Sequence, residues 1–138
     1  MIFVDSNVII DAQDKESQFR AWAEQIMADA LSTDGIALNP IVLAELCVGQ
    51  DDPKSVEVEL REKGLTIVDL PAAAASICAR AYTRYRVARK RSGGREAPLI
   101  PPPDFFIGAH AELTDWALAT RDPDRYQLYF PEVKLIQP

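Results

Sequence analysis

Two kinds of hydrophobic pattern alternate along the chain. Short, mostly apolar runs recur at Ile2-Phe3-Val4, Ile36-Ala37-Leu38, Leu65 to Leu70 (LTIVDL), Trp116 to Thr120 (WALAT) and Val133 to Ile136. Runs this short, without strict alternation, predict strands covered on both faces. Between them, apolar residues fall three and four apart. Phe19, Trp22, Ile26 and Ala30 predict an amphipathic helix over Lys15 to Leu31, stopped by Gly35. Asn39-Pro40 supplies an N-cap followed by proline at the first helical position, and opens a helix through Val48 to a stop at Gly49. Asp52-Pro53 repeats the start signal, and Val56 and Leu60 lead to Gly64. Pro71 opens a long Ala-rich helix to Arg91, ended by Ser92-Gly93-Gly94. Arg95 to Pro103 (REAPLIPPP) reads as a rigid loop, Asp104 as the start of a helix with Phe105 to Leu113 as its apolar body, and Arg121 to Phe130 as a polar connection. Strands alternating with helices predict an α/β fold, a three-layer α/β/α sandwich around a mostly parallel sheet with right-handed crossovers.

Composition agrees with this and removes several classes. A chain of 138 residues with 48% apolar and 26% charged residues is expected to form one domain, 1–138, with a core that needs no disulfide or structural metal. No apolar run approaches the roughly 20 residues that span a bilayer, and the N-terminus lacks a basic segment and cleavage site. No membrane association and a cytoplasmic location are the expectation. Cys47 and Cys78 form no CxxC pair and are expected to be reduced core residues. His110 is the only histidine, which excludes a two-histidine acid–base nuclease and any multi-histidine metal site. Chemistry is left to carboxylates, hydroxyls, or a metal that they hold.

Charge is unevenly spread. The net charge is −6, yet Arg80, Arg84, Arg86, Arg89, Lys90, Arg91 and Arg95 follow one another with no acid between. That window carries +7, so the remainder, with eight bases and all 21 acids, carries −13. Such asymmetry points to an anionic partner on one face. The bland alternative is a solvated helix end, where bases are favoured by the macrodipole.

Four acids stand out in the acidic remainder. In open parallel sheets, sites form outside the carboxyl ends of the strands. Asp5 follows the first strand and Asp122 follows WALAT, while Asp104 sits between three prolines and two phenylalanines. Glu45 lies one turn into a helix whose neighbours are almost all apolar. Each has a plainer explanation: a strand-end turn for Asp5, a helix cap for Asp104, an ordinary turn for Asp122, a helix surface for Glu45. Asp124 competes with Asp122 for any role. Carboxylates gathered at one sheet edge would repel one another, and a hard divalent cation removes the conflict. Such an ion can make hydroxide from water and stabilise charge on a phosphoryl oxygen, and a pair about 4 Å apart can clamp both reacting oxygens. An acidic cleft beside a basic helix therefore suggests metal-assisted phosphodiester cleavage.

With these residues in view, the chain resembles the PIN-domain family, and within it the VapC-like toxins of bacterial toxin–antitoxin pairs. The matching segments are IFVDSNVIID (2–11), NPIVLAELCVGQ (39–50), PPDFFIGAHAEL (102–113) and LATRDPDRYQLYFPEVKLIQP (118–138). The resemblance implies a Mg²⁺- or Mn²⁺-dependent endoribonuclease whose products carry a 5′ phosphate and a 3′ hydroxyl. It places Asp5, Glu45, Asp104 and Asp122 as the catalytic and metal-binding acids, with Asn7 and Thr120 as supporting hydrogen-bond residues. It also implies an RNA substrate, an antitoxin partner lying over the site, and a homodimer. The sequence departs from the family pattern in the proline-rich approach to Asp104, in Asp115 where glycine is common, and in Asp124 beside Asp122. The basic residues Arg80, Arg84, Arg86, Arg89, Lys90 and Arg91 are expected to contact RNA or a protein partner. A non-catalytic module whose acidic cleft accepts a basic peptide is the competing expectation. A phosphatase or receiver domain is disfavoured because Asp5-Ser6-Asn7 lacks a second Asp and no Lys follows a late strand.

Overall fold

The five apolar runs form strands β1 (Ile2–Val4), β2 (Ile36–Leu38), β3 (Thr66–Ile67), β4 (Ala117–Ala119) and β5 (Leu135–Ile136) in the computed structural model, which describes residues 1–138. They build one sheet of order β3-β2-β1-β4-β5 in which every neighbouring pair is parallel. The helices are α1 (Ser6–Gln13), α2 (Arg20–Ser32), α3 (Pro40–Cys47), α4 (Pro53–Glu62), α5 (Ala74–Arg91), α6 (Pro103–Thr114) and α7 (Asp124–Tyr129). The sheet and its helices make the expected three-layer α/β/α architecture.

The core is built on the central strands. Phe3, Val4, Ile36, Leu38, Leu118 and Ala119 are all buried, as are Val8, Ile9, Phe105 and Ile107 on the helices that cover them. Phe105 also packs in an aromatic cluster with Tyr82, Tyr85, Tyr129 and Phe130 from α5, α7 and the segment after it. The order of strands matters most for function. From β1 the chain steps outward to β2 and β3, then returns to the other side of β1 to lay down β4 and β5. The direction of winding therefore reverses between β1 and β4, and helices diverge there to leave a crevice at the strand ends.

Several sequence expectations are corrected. Residues 6–13, outside every element that the pattern predicts, form α1 because Asp5 caps it and Val8 and Ile9 bury one face. The helix expected from Lys15 begins only at Arg20. Asp14 accepts from Glu16 N at 2.9 Å and Ser17 Oγ accepts from Phe19 N at 3.1 Å, so side-chain turns compete successfully with helix before it. The strand expected over Leu65 to Leu70 shrinks to Thr66–Ile67 at a sheet edge, and Val133 to Ile136 shrinks to Leu135–Ile136 at the other. The polar connection Arg121 to Phe130 contains α7. Helix α6 opens at Pro103 rather than at Asp104, which is its second residue and caps nothing. Cys78 is buried, but Cys47 is only half-buried.

Asp115, at the end of α6, takes a left-handed conformation with φ of 55°, which costs a non-glycine residue some strain. Its backbone N–H reaches the carbonyls of Ala111 and Glu112 and so closes the helix.

Gly108 sits in the middle of α6 where a Cβ would lie 2.5 Å from the Phe130 ring, itself fully buried. Gly108→Ala should therefore destabilise the fold by about 2 kcal/mol by overpacking, although alanine favours a helix by about 1 kcal/mol over glycine. Urea denaturation would show it as a lower midpoint; a raised midpoint would contradict this account of the packing.

Candidate active site

The crevice at the β1/β4 reversal is a concavity of about 290 Å³ lined by Asp5, Ser6, Asn7, Ile10, Glu45, Asp104, Arg121, Asp122 and Tyr126. All four acids singled out in the sequence line it, on four separate chain segments. Asp124 does not; it lies exposed in the first turn of α7.

Each acid arrives by a different local device. Asp5 ends β1 and caps α1, its Oδ1 accepting from Ser6 N at 2.8 Å. Its Oδ2 accepts from Thr120 Oγ1 at 3.0 Å, Asn7 Nδ2 at 3.2 Å and Tyr126 OH at 3.2 Å. Four donors thus fix a carboxylate that is only 6% exposed. Glu45 comes from α3, whose start is set by Asn39: its Oδ1 accepts from Ile41 N and Val42 N, both at 3.1 Å. Asn39 Nδ2 meets His110 Nδ1 at 3.3 Å, and His110 is buried on α6 against Phe3. His110 therefore ties the helix bearing Glu45 to the helix bearing Asp104. Burial lowers its pKa, which suits a neutral ring accepting from Asn39. Asp104 lies in the first turn of α6, where the helix dipole favours an anion. Asp122 follows β4; its Oδ2 accepts from Asn7 Nδ2 at 3.2 Å, and its N–H donates to Thr120 Oγ1 at 3.1 Å. Asn7 and Thr120 are thus the shared hydrogen-bond hub of the β1 and β4 ends.

Four participants carry no assignment from the sequence: Tyr126, Arg125, Asp11 and Arg121. Tyr126 is buried beneath Asp5, and its hydroxyl pKa is pushed up by burial and by the Asp5 charge, so it remains a donor. Arg125 Nη1 donates to Asp104 Oδ2 at 2.9 Å, with its guanidinium 5.5 Å from the Tyr85 and Phe105 ring centres. Asp11, 1% exposed on α1, accepts from Arg121 Nη1 at 2.6 Å and from Ser17 Oγ at 2.8 Å. Arg121 is thereby held at the pocket wall, over the Phe19 ring. Asp11 had a sequence signal, since it continues the stripe of Asn7 and Val8 at helical spacing. Tyr126 and Arg125 had little, because α7 was hidden in a polar segment.

The electrostatics are those of crowded carboxylates. The Asp5 carboxyl is pushed up to about 6, first by burial and further by the charges of Asp104 and Glu45, against the lowering effect of its Thr120 and Ser6 hydrogen bonds. Glu45 Oε2 is buried and has no hydrogen-bond partner. As arranged, no three of these side chains stand close enough together to share one ion. Arg125 and Asn7 meet Asp104 and Asp122 with internal donors instead. Carboxylate oxygens, one of them orphaned and one protonation-prone, are the donor type that suits a hard divalent cation.

The family model described as PIN domain matches residues 2–131. No curated protein matches the sequence. Among solved structures, FitAcB from Neisseria gonorrhoeae is similar at 26% identity and a TM-score of 0.66, over 100% of this chain and 98% of that one. VapBC2 from Rickettsia felis, bound to a DNA fragment from its promoter, is similar at 22% identity and 0.66, over 100% and 99%. VapC20 from Mycobacterium tuberculosis, a sarcin-ricin loop cleaving toxin, is similar at 16% identity and 0.62, over 97% and 99%. At their identities the last two speak for the fold alone.

The raised Asp5 pKa fixes a sign. The folded carboxyl retains its proton up to pH about 6 while the unfolded one loses it near 3.8, so this group favours folding at low pH and that contribution is lost as pH rises through 6. The loss is about 3 kcal/mol at one pKa unit per 1.36 kcal/mol. His110 acts in the opposite sense, so the comparison must be with Asp5→Asn. In EDTA, stability of the wild type minus that of Asp5→Asn should fall between pH 4 and pH 6. Parallel denaturation curves at both pH values would show that Asp5 does not titrate in this window.

Proposed function

The chain belongs to the PIN-domain family, and from that premise we propose that it is a metal-dependent endoribonuclease acting as the toxin of a toxin–antitoxin pair. One observation supports the reading above the rest: Asp5, Glu45, Asp104 and Asp122, from four segments, line one pocket at the sheet's reversal point. Asp5, Glu45, Asp104 and Asp122 would hold Mg²⁺ or Mn²⁺. When bound, such an ion lowers the pKa of water and neutralises charge developing on a phosphoryl oxygen.

The chain's own residues do the rest. Thr120, Asn7, Tyr126 and Ser6 N–H hold Asp5 in a single orientation, so its charge is presented without reorganisation. Asp104 Oδ2 is taken by Arg125, which leaves Oδ1 to accept a proton from the attacking water. The new bond forms between the water oxygen and phosphorus, the bond to the 3′ oxygen breaks, and the proton passes to that oxygen. Products with a 5′ phosphate and a 3′ hydroxyl follow.

An antitoxin segment is the proposed inhibitor. Glu45 also faces a cleft of about 310 Å³ between α1, α3 and α4, lined partly by Ile9, Ile10, Leu46 and Val56. An extended segment could seat apolar side chains there and a basic one among the acids. Arg125 on Asp104 is an internal precedent for a guanidinium in this place. That same pair favours the competing reading, a non-catalytic acidic cleft for a basic peptide. The chain is further read as a homodimer, which light scattering would check.

Asp5→Asn and Asp104→Asn should each lower Mg²⁺-dependent RNA cleavage by about a hundredfold or more, while circular dichroism shows the fold retained. Undiminished cleavage in both purified variants would remove the mechanism, and failure of the wild type to cleave with Mg²⁺ or Mn²⁺ would favour the peptide-binding cleft. Independently of activity, Mn²⁺ should raise the melting temperature at pH 7 and do so much less at pH 5, where protons compete for Asp5. Equal shifts at the two pH values would place the ion elsewhere.

A further inference from the structure

The run of bases on α5 does not act as one surface. Arg80 is paired with Glu112 of α6 at 2.7 Å, Arg84 donates to the Tyr129 carbonyl, and Arg89 donates to Tyr85 OH at 2.9 Å. Arg80 and Arg84 are committed to holding α5 against α6 and α7, and Arg89 folds back on α5 itself. Arg86 and Lys90, one turn apart, point elsewhere. With Thr83 and Val87 they form one wall of a cavity of about 550 Å³, and Arg95 and Glu96 stand in the other. None of Arg86, Lys90 and Arg95 pairs with a carboxylate, Glu96 included.

The second wall is held in place. Gly93 turns the chain with φ of 75°, and Gly94 lies so close to α5 that a Cβ would come 3.1 Å from the Arg89 carbonyl oxygen. Ala97 is buried, and Tyr82 OH donates to the Pro98 carbonyl. The cavity is therefore built into the fold, with three unneutralised cations facing it against one carboxylate.

Helix capping does not account for these cations. The last carbonyls of α5 already accept from backbone: Ser92 N bonds Ala88 O at 3.1 Å, Gly93 N bonds Lys90 O at 3.2 Å and Gly94 N bonds Arg89 O at 3.0 Å. The macrodipole favours bases only within the last turn, which covers Lys90 but neither Arg86 nor Arg95. Three cations and one carboxylate around one space leave it net positive, which favours a further anion there.

We propose that this cavity between the end of α5 and the Gly93–Ala97 turn binds the sugar–phosphate backbone of RNA and anchors the strand outside the acidic pocket. The proposal rests on the ribonuclease reading for the identity of the polyanion. Its position relative to the pocket supports it. The Arg89 stem lies against the turn, Arg89 bonds Tyr85, Tyr85 lies under Arg125, and Arg125 holds Asp104. Arg89, Tyr85 and Arg125, each half-buried, thus form a continuous line between the two places, along which a strand's phosphates can meet guanidinium groups.

The test is binding of a fluorescein-labelled oligouridylate in EDTA across a salt series. The triple variant Arg86→Gln, Lys90→Gln, Arg95→Gln should reduce the slope of log affinity against log salt by about 2, from about 0.7 per phosphate contact on a single strand. Its melting temperature should stay that of the wild type, and its cleavage should show a raised KM with kcat unchanged. The control is Lys15→Gln, Lys54→Gln, Lys134→Gln, three exposed lysines elsewhere, which makes the same change in net charge. An unaltered slope in the first triple, or an equal loss in both, overturns the anchor. A slope that stays while binding of polyglutamate is lost assigns the cavity to an acidic protein segment and equally overturns it. Wild-type protein that neither binds nor cleaves RNA takes the ribonuclease reading down as well, whereas cleavage with an unaltered slope removes the anchor alone.

Discussion

A single carboxylate in the wrong place for its charge organises the molecule. Asp5 stands at the end of the central strand, almost out of reach of water, with two other acids near enough to raise its pKa. Burying an anion there costs free energy that its surroundings must offset. They do so with one backbone and three side-chain donors, drawn from α1, the end of β4 and α7. Much of the local architecture can be read as the means of bringing those donors to that spot.

The same logic extends outward in steps. Thr120 bonds Asp5 and receives the Asp122 N–H, so the turn after β4 is shaped by the end of β1. Asp11 lies buried one helix face away and needs a cation, and Arg121 supplies it from the same turn. His110 holds Asn39, which starts the helix carrying Glu45. Residues that touch nothing reactive therefore decide where the acids point. A pocket assembled this way is stiff in its walls and frustrated in its charges. On the proposed reading that combination stores affinity for a cation, and Arg125 already uses part of it.

Acid and base are kept apart by the sheet's topology. The acids converge where winding reverses between β1 and β4, while the unpaired bases gather at the end of α5. The aromatic cluster of α5, α6 and α7 lies between, with Arg125 over two of its rings. A chain with a net charge of −6 can approach a polyanion only if its positive charge is concentrated, and here it is.

What the amino-acid pattern determined by itself was whatever depends on neighbours in the chain. The five strands, the proline and asparagine helix starts, the α/β alternation and the oddness of Glu45 in its apolar stretch all follow from local spacing and local chemistry. Strand and helix lengths at the sheet edges did not, because a strand ends where its partner does, and Thr66–Ile67 has a partner on one side only. Nor did α1, whose cap is the very residue singled out for chemistry. Only the tertiary structure decided that Asp122 and not Asp124 lines the pocket, that Arg125 and Tyr126 hold the acids, and which bases of the α5 run are already engaged. Those are contacts between residues up to 121 positions apart. Their energies come from convergence in space, and nothing in the spacing along the chain records it.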